Sequence, residues 1–289
     1  MTFSPDPTLV PSSSLEQLCS TAARHADADP AGTAAEFTEF LLIEHRQPWS
    51  RSVADDAVSA SFPADEAEKV AARATLRPHA IRTVQRGVDA DPMIIHGTVG
   101  SGSAMTRLAT PALDAPGDPL TGLLFAVCTN GKRDRCCAQL GRPLAVALHS
   151  EFGDRVIEIS HLGGHRFAAT MLVLPWGYAY GFLDLPGARA ILQAADRGLV
   201  EPRGLRGRAD LPPAAQAAEA YWRRQLGPAA PDAVSAIRSE TDRGEVLVTA
   251  VVGDRRESLW LTPVIGPQVS DTACGGKPFT ADRWRIRES

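Results

Sequence analysis

Cys128 and Cys137 are separated by eight residues, and His161 and His165 by three. Thiolates and imidazoles are soft or borderline donors, and together they suit a metal ion or an iron–sulfur centre better than they suit acid–base chemistry. Cys128 closes the apolar run Leu123-Leu124-Phe125-Ala126-Val127, and Cys136-Cys137 open a segment of helical spacing. The connecting loop carries Lys132, Arg133 and Arg135, and these charges and the following helix N-terminus favour a thiolate over a thiol. Gly163-Gly164 lets the chain between the two histidines fold tightly. A Cys₂His₂ set can hold structural zinc in a tetrahedron. It can equally hold a [2Fe–2S] cluster with cysteines on one iron and histidines on the other. Zinc sites commonly use a shorter cysteine knuckle, but spacing alone leaves both metals open. The pair is not C-x-x-C, which disfavours a thioredoxin-type thiol oxidoreductase.

These residues need a scaffold that brings two loops to one place. Leu123 to Val127 reads as a strand buried on both faces, followed by a helix with Leu140, Leu144, Ala147 and Leu148 on one side. Val156–Ile159 reads as a second strand and delivers His161 and His165. Thr170–Pro175 and Tyr178–Leu183 form a hairpin around Trp176-Gly177, and Pro186 opens another helix. The order β-α-β then β-β-α is that of a thioredoxin-like layer, in an α/β fold. Functional loops collect at strand C-terminal edges in such layers. Tyr178 and Tyr180 share one face of their strand, and one of them is placed to shield the site.

Before this layer, Phe40–His45, His79–Val84 and Met93–Val99 read as strands and Asp65–Arg73 as a helix. Gly100–Ser103 and Pro111–Pro119 read as punctuation, and Arg203–Arg208 as an arginine-rich surface loop. An Ala-rich helix over Pro213–Leu226 precedes a hairpin made from Val246–Val252 and Ser258–Leu261. The expected organisation is a flexible tail over 1–15, an N-terminal α/β region over 16–115, the thioredoxin-like domain over 116–199 and a C-terminal extension over 200–289.

The 289 residues carry 30 Lys+Arg against 34 Asp+Glu, a formal net charge of −4 that argues against a general nucleic-acid binder. No apolar run is long enough for a transmembrane helix, and no membrane partner is expected. The first residues lack a basic region followed by an apolar one, so a cytoplasmic location is expected. Five cysteines in a reducing compartment do not make a disulfide framework. Cys19 reads as a buried small side chain and Cys274 as structural or incidental.

The run Cys128-Thr-Asn-Gly-Lys-Arg-Asp-Arg-Cys-Cys137, followed by Ser160-His-Leu-Gly-Gly-His-Arg-Phe-Ala168, resembles the sucrase/ferredoxin-like family. The resemblance implies a thioredoxin-like [2Fe–2S] protein whose cluster-binding residues are Cys128, Cys137, His161 and His165, with Cys136 a neighbour and not a ligand. The implied function is electron transfer or redox sensing with a redox partner protein. The alternatives are a zinc-stabilised interaction module and a thiol-dependent oxidoreductase. No pair of carboxylates poised across a sugar site stands out, so sucrose hydrolysis is not expected. Lys132, Arg133, Arg135 and Arg166 are expected to form a basic rim that docks an acidic partner.

Overall fold

The computed structural model describes residues 18–84, 92–100, 102–269 and 278–288. Cys274 and the expected N-terminal tail lie outside them. In chain order the helices are α1 (Cys19–His25), α2 (Val53–Ser61), α3 (Ala64–Ala72), α4 (Arg142–Phe152), α5 (Leu185–Asp196) and α6 (Pro213–Leu226). The first ten strands are β1 (Glu39–Glu44), β2 (Leu76–Thr83), β3 (Ile94–Thr98), β4 (Ala104–Leu108), β5 (Gly117–Leu120), β6 (Leu124–Cys128), β7 (Val156–Ile159), β8 (Met171–Leu174), β9 (Tyr178–Tyr180) and β10 (Leu205–Arg208). They join in one mixed sheet, ordered β10-β9-β8-β6-β7-β2-β1-β3-β4-β5.

The layer expected from the sequence is at the centre of this sheet. Strands β6 and β7 are parallel and joined through α4, β8 lies antiparallel beside β6, and β9 lies antiparallel beside β8. Strand β6 is buried on both faces because its side chains alternate between two cores. Phe125 and Val127 pack with Leu144, Ala145 and Leu148 of α4, while Ala126 and Cys128 share the other face with Phe40, Leu42 and Ile159. Each fully buried Phe, Leu or Ile stabilises the fold by about 1.5–3 kcal/mol, so the apolar run both makes the strand and holds Cys128 at its end. Asp184 caps α5 by accepting the Gly187 N–H at 2.8 Å, with Pro186 in the first turn.

The strands of the N-terminal region extend this same sheet. The junction is an antiparallel pairing of β2 with β7, in which Arg82 stands opposite Glu158. One segment carried no expectation, and two differ from what was expected. Val53–Ser61 is a helix, with Val53, Ala57 and Val58 buried on one side. Gly117–Leu120, read as punctuation, is the edge strand β5, where Pro119 costs no central ladder bond. Leu205–Arg208, read within a surface loop, is the opposite edge strand, and Leu205 and Arg206 are buried. Short strands bearing charge give little alternation for a sequence reading to detect.

The C-terminal hairpin proves to be part of a four-stranded antiparallel sheet of β11 (Val234–Asp242), β12 (Glu245–Val252), β13 (Arg255–Val264) and β16 (Arg283–Glu288), while β14 (Gln268–Val269) pairs with β15 (Phe279–Thr280). Helix α6 joins this sheet to the main core through Trp222 and its alanine face. Tyr178 does not shield the Cys–His residues. Its hydroxyl donates to Glu219 at 2.9 Å and accepts from Arg223 at 2.6 Å, within the core on the α4 side of the sheet. Tyr180 packs in that same core. Among the described residues, no helix is long and apolar enough to cross a membrane.

Candidate metal centre

Cys128 ends β6, and Cys137 begins one turn of π-helix, Cys137–Gly141, that leads into α4. This turn passes so close to the end of β6 that a Cβ on Gly141 would collide with the Cys128 carbonyl, which explains the glycine there. The loop between the cysteines is held by Asn130. Its carbonyl accepts from Asp134 N–H at 3.1 Å, its Oδ1 accepts from Arg133 N–H at 3.3 Å, and its Nδ2 donates to Ser50 O at 3.2 Å. The Cys137 N–H then returns to the Asp134 carbonyl at 3.1 Å.

Cys128, Cys137 and His161 present ligand atoms within 4.8 Å of one another. His165 stands outside that group, but one carboxylate ties it to it. Asp134 places Oδ2 3.1 Å from His161 Nδ1 and Oδ1 3.3 Å from His165 Nδ1. The His161 contact lacks hydrogen-bond alignment, so it is electrostatic in this conformation. A carboxylate at Nδ1 favours the proton there and turns Nε2 toward a metal. The imidazole planes are tilted by 37° with centroids 6.4 Å apart. Cys136 faces elsewhere, packed among Leu18, Cys19 and Ala168.

The two facing thiols are joined by a hydrogen bond. The hydrogen bond from Cys137 holds the Cys128 thiol well below its ordinary value, helped by His161 and the Leu162 N–H and opposed by burial. The same hydrogen bond pushes Cys137 up, and burial and the charges of Cys128 and Asp134 add to this. Cys128 is therefore the readier of the two to lose its proton. Cys128 and Cys137 are each 1% exposed, whereas the His161 and His165 side chains are 18% and 28% exposed. The sulfurs are buried, and the two imidazole rings are partly exposed, with His161 Nδ1 and His165 Nε2 themselves buried.

Two further residues hold the site, and sequence reasoning missed both roles. Arg206 is fully buried; it donates to Gly163 O at 2.9 Å, to Thr33 Oγ1 at 3.1 Å and to Thr33 O. It clamps the loop between the histidines from above, and a Cβ on Gly164, at φ +68°, would run into its guanidinium. Burial and nearby Arg166 lower Arg206 to about 10, against the raising influence of Cys128 and Cys137, so it stays charged beside the thiols at neutral pH. Glu158, buried in β7, accepts from Thr129 Oγ1 at 2.6 Å, from Arg82 at 2.8 Å and from Arg142. It thereby anchors the residue after Cys128, the neighbouring strand and the start of α4. A carboxylate in an apolar strand was the available signal for Glu158; Arg206 looked like any surface arginine.

A family model described as sucrase/ferredoxin-like matches residues 30–207. The chain belongs to the sucrase/ferredoxin-like family. Neither a curated protein nor a solved structure matches it. The sucrase/ferredoxin-like match takes in Cys128, Asp134, Cys137, both histidines and Arg206, and leaves out α6 and the C-terminal sheet.

Two outcomes are expected within this sucrase/ferredoxin-like region. Glu158→Gln should destabilise the fold by about 3 kcal/mol, the low end for breaking a buried ion pair, because Arg142 still reaches solvent. Urea unfolding with a wild-type midpoint would contradict this. Arg206→Gln should cost a similar amount, about 3 kcal/mol, and should speed amide exchange over residues 161–167. Wild-type protection of that loop would show that Arg206 is no clamp.

Proposed function

We propose that Cys128, Cys137, His161 and His165 hold a [2Fe–2S] cluster and that the protein transfers electrons to or from a partner protein. The observation that carries this reading is the convergence of two buried, hydrogen-bonded thiols with His161, to which Asp134 ties His165. The donor set fits the group, with soft sulfur on one side and two imidazoles, each facing one oxygen of a shared carboxylate, on the other. A cluster bound there would take up and release one electron at a potential above that of all-cysteine ferredoxins, because neutral imidazoles replace two thiolates. The chain's own residues do the rest. The core around Cys128 keeps water from the sulfurs, Arg206 supplies a fixed positive charge beside them, and Asp134 sets one carboxylate oxygen near each Nδ1.

The partly exposed histidine edge is where a partner would approach. Lys132, Arg133 and Arg135 are exposed there. Arg166 does not join this rim as expected. It is held below its ordinary value by burial and stacks on Phe167 and Phe279 at 4.8 and 5.4 Å. Reversing Lys132 and Arg135 to Glu together should slow reduction by an acidic partner about tenfold at low salt, with the gap closing as salt rises. An unchanged rate would contradict an electrostatic docking role.

The tight grouping of Cys128, Cys137 and His161 also supports a second reading, a single zinc ion with His165 as fourth ligand. Metal analysis of anaerobically purified protein separates the two. Iron with an equal amount of acid-labile sulfide supports the cluster, and one zinc in a colourless protein supports the alternative.

A further inference from the structure

A cavity of about 250 Å³ opens beside the metal centre, lined by Arg51, Arg77, Arg133, His79, Ser160 and His161 together with the first turn of α2. Three arginines line it, and the one carboxylate in the lining is that of Asp55, itself exposed. Arg77 is held below its ordinary value by burial and by Arg133, and it forms no ion pair among the described residues. Two cations gathered without a counter-charge repel each other unless an anion joins them.

The backbone faces the same way. Helix α2 has nine residues and no side-chain cap. The N–H groups of Asp55 and Asp56 return to the Ser52 carbonyl, but those of Val53 and Ala54, both in the lining, meet no acceptor among the described residues. Unsatisfied N–H groups at a helix N-terminus form a natural anion seat.

A separate observation points to the same ligand. His79, 1% exposed, lines the cavity, and its buried Nε2 has no hydrogen-bond partner among the described residues. Its Nδ1 lies 3.5 Å from Ser160 Oγ, which already accepts the Ala80 N–H at 3.2 Å. With the Ser160 hydroxyl donating to Nδ1, the imidazole proton sits on Nε2. Burial, Arg77 and His161 hold His79 down to about 3, so the ring is neutral. A buried donor without an acceptor is costly to a fold, and an oxyanion in this cavity would satisfy it.

We propose that this cavity binds a small tetrahedral oxyanion of the phosphate class, seated between Arg77, Arg133 and the α2 N-terminus, with His79 Nε2–H as its buried donor. The volume admits inorganic phosphate and also a phosphomonoester with a small substituent. Because His161 forms one wall, an occupied site sets negative charge beside an imidazole of the metal centre. The site stands whichever metal that centre holds.

The test is calorimetric titration of the full chain as purified, at constant ionic strength, with inorganic phosphate in one arm and glycerol 3-phosphate in the other. Saturable one-to-one binding is expected, tighter for phosphate if the free ion is the ligand and tighter for the ester if a phosphorylated metabolite is. Arg77→Gln and Arg133→Gln should each weaken it by about tenfold, the worth of a charge-assisted hydrogen-bond pair. Arg46→Gln, outside the cavity, should leave it unchanged. Arg133 is exposed, so its variant carries the test if Arg77→Gln does not fold. Absence of saturable binding in both arms would overturn the proposal. So would binding that survives both substitutions, since the anion would then sit on the metal.

Discussion

Cys137→Ser should leave the purified protein with metal close to zero and without its visible absorption, while Cys136→Ala should keep both at wild-type levels. The two residues are adjacent and both buried, so composition and exposure cannot tell them apart. Their surroundings can. Cys137 faces Cys128 and is hydrogen-bonded to it, and its ligand atom lies within 4.8 Å of the Cys128 and His161 atoms. Cys136 fills a small apolar cluster with Leu18, Cys19 and Ala168. Truncating it to alanine removes one buried sulfur, a loss of about 1 kcal/mol of packing that is felt in stability and not in the metal. Metal analysis of both variants beside the wild type checks this. Retention of metal by the Cys137 variant, or its loss from the Cys136 variant, would move the ligand assignment to the other sulfur.

Asp134→Asn should shorten the lifetime of the bound metal by about 10- to 100-fold, the usual consequence of losing the carboxylate behind metal-ligating histidines. The expectation rests on one side chain serving two rings, with Oδ2 at His161 and Oδ1 at His165. An asparagine keeps the shape but offers one oxygen, so one imidazole loses its orienting acceptor and both lose a negative charge. The Asp134 backbone, which accepts the Cys137 N–H, stays in place, so the loop should still fold. The measurement is metal release to a chelator, with circular dichroism to confirm an unchanged fold. Release at the wild-type rate from a folded variant would show that His165 is not coupled to the site through Asp134.

The parts of this site that were legible in the sequence are those made of rare residue types at short range. Cys128, Cys137, His161 and His165 stand out because few other side chains here offer sulfur or imidazole, and the strands carrying them are short apolar runs with clear ends. The β6-α4-β7 layer could be read because burial on both faces of β6 leaves a continuous apolar stretch. Asp134 was present in the motif, but a carboxylate between basic loop residues looks like a surface charge. Its role exists only once β7 sets the histidine loop against it. Arg206 is 41 positions beyond His165, and nothing in an arginine between Leu205 and Gly207 announces a fully buried clamp. The continuity of the N-terminal strands with the central layer was hidden for a similar reason. The β2–β7 pairing is a contact distant in sequence, sealed by Arg82 against Glu158. Pairings of that kind are decided by packing, which local pattern does not record.

In the proposed function two thiolates and two imidazoles share one iron–sulfur cluster. Pulsed electron paramagnetic resonance on the reduced protein, purified anaerobically with ¹⁵N-labelled histidine, tests this. A cluster signal coupled to two histidine nitrogens is expected, one of which is lost in each of His161→Ala and His165→Ala. A reduced cluster with no histidine coupling, or a colourless protein with no signal and one bound zinc, would contradict it.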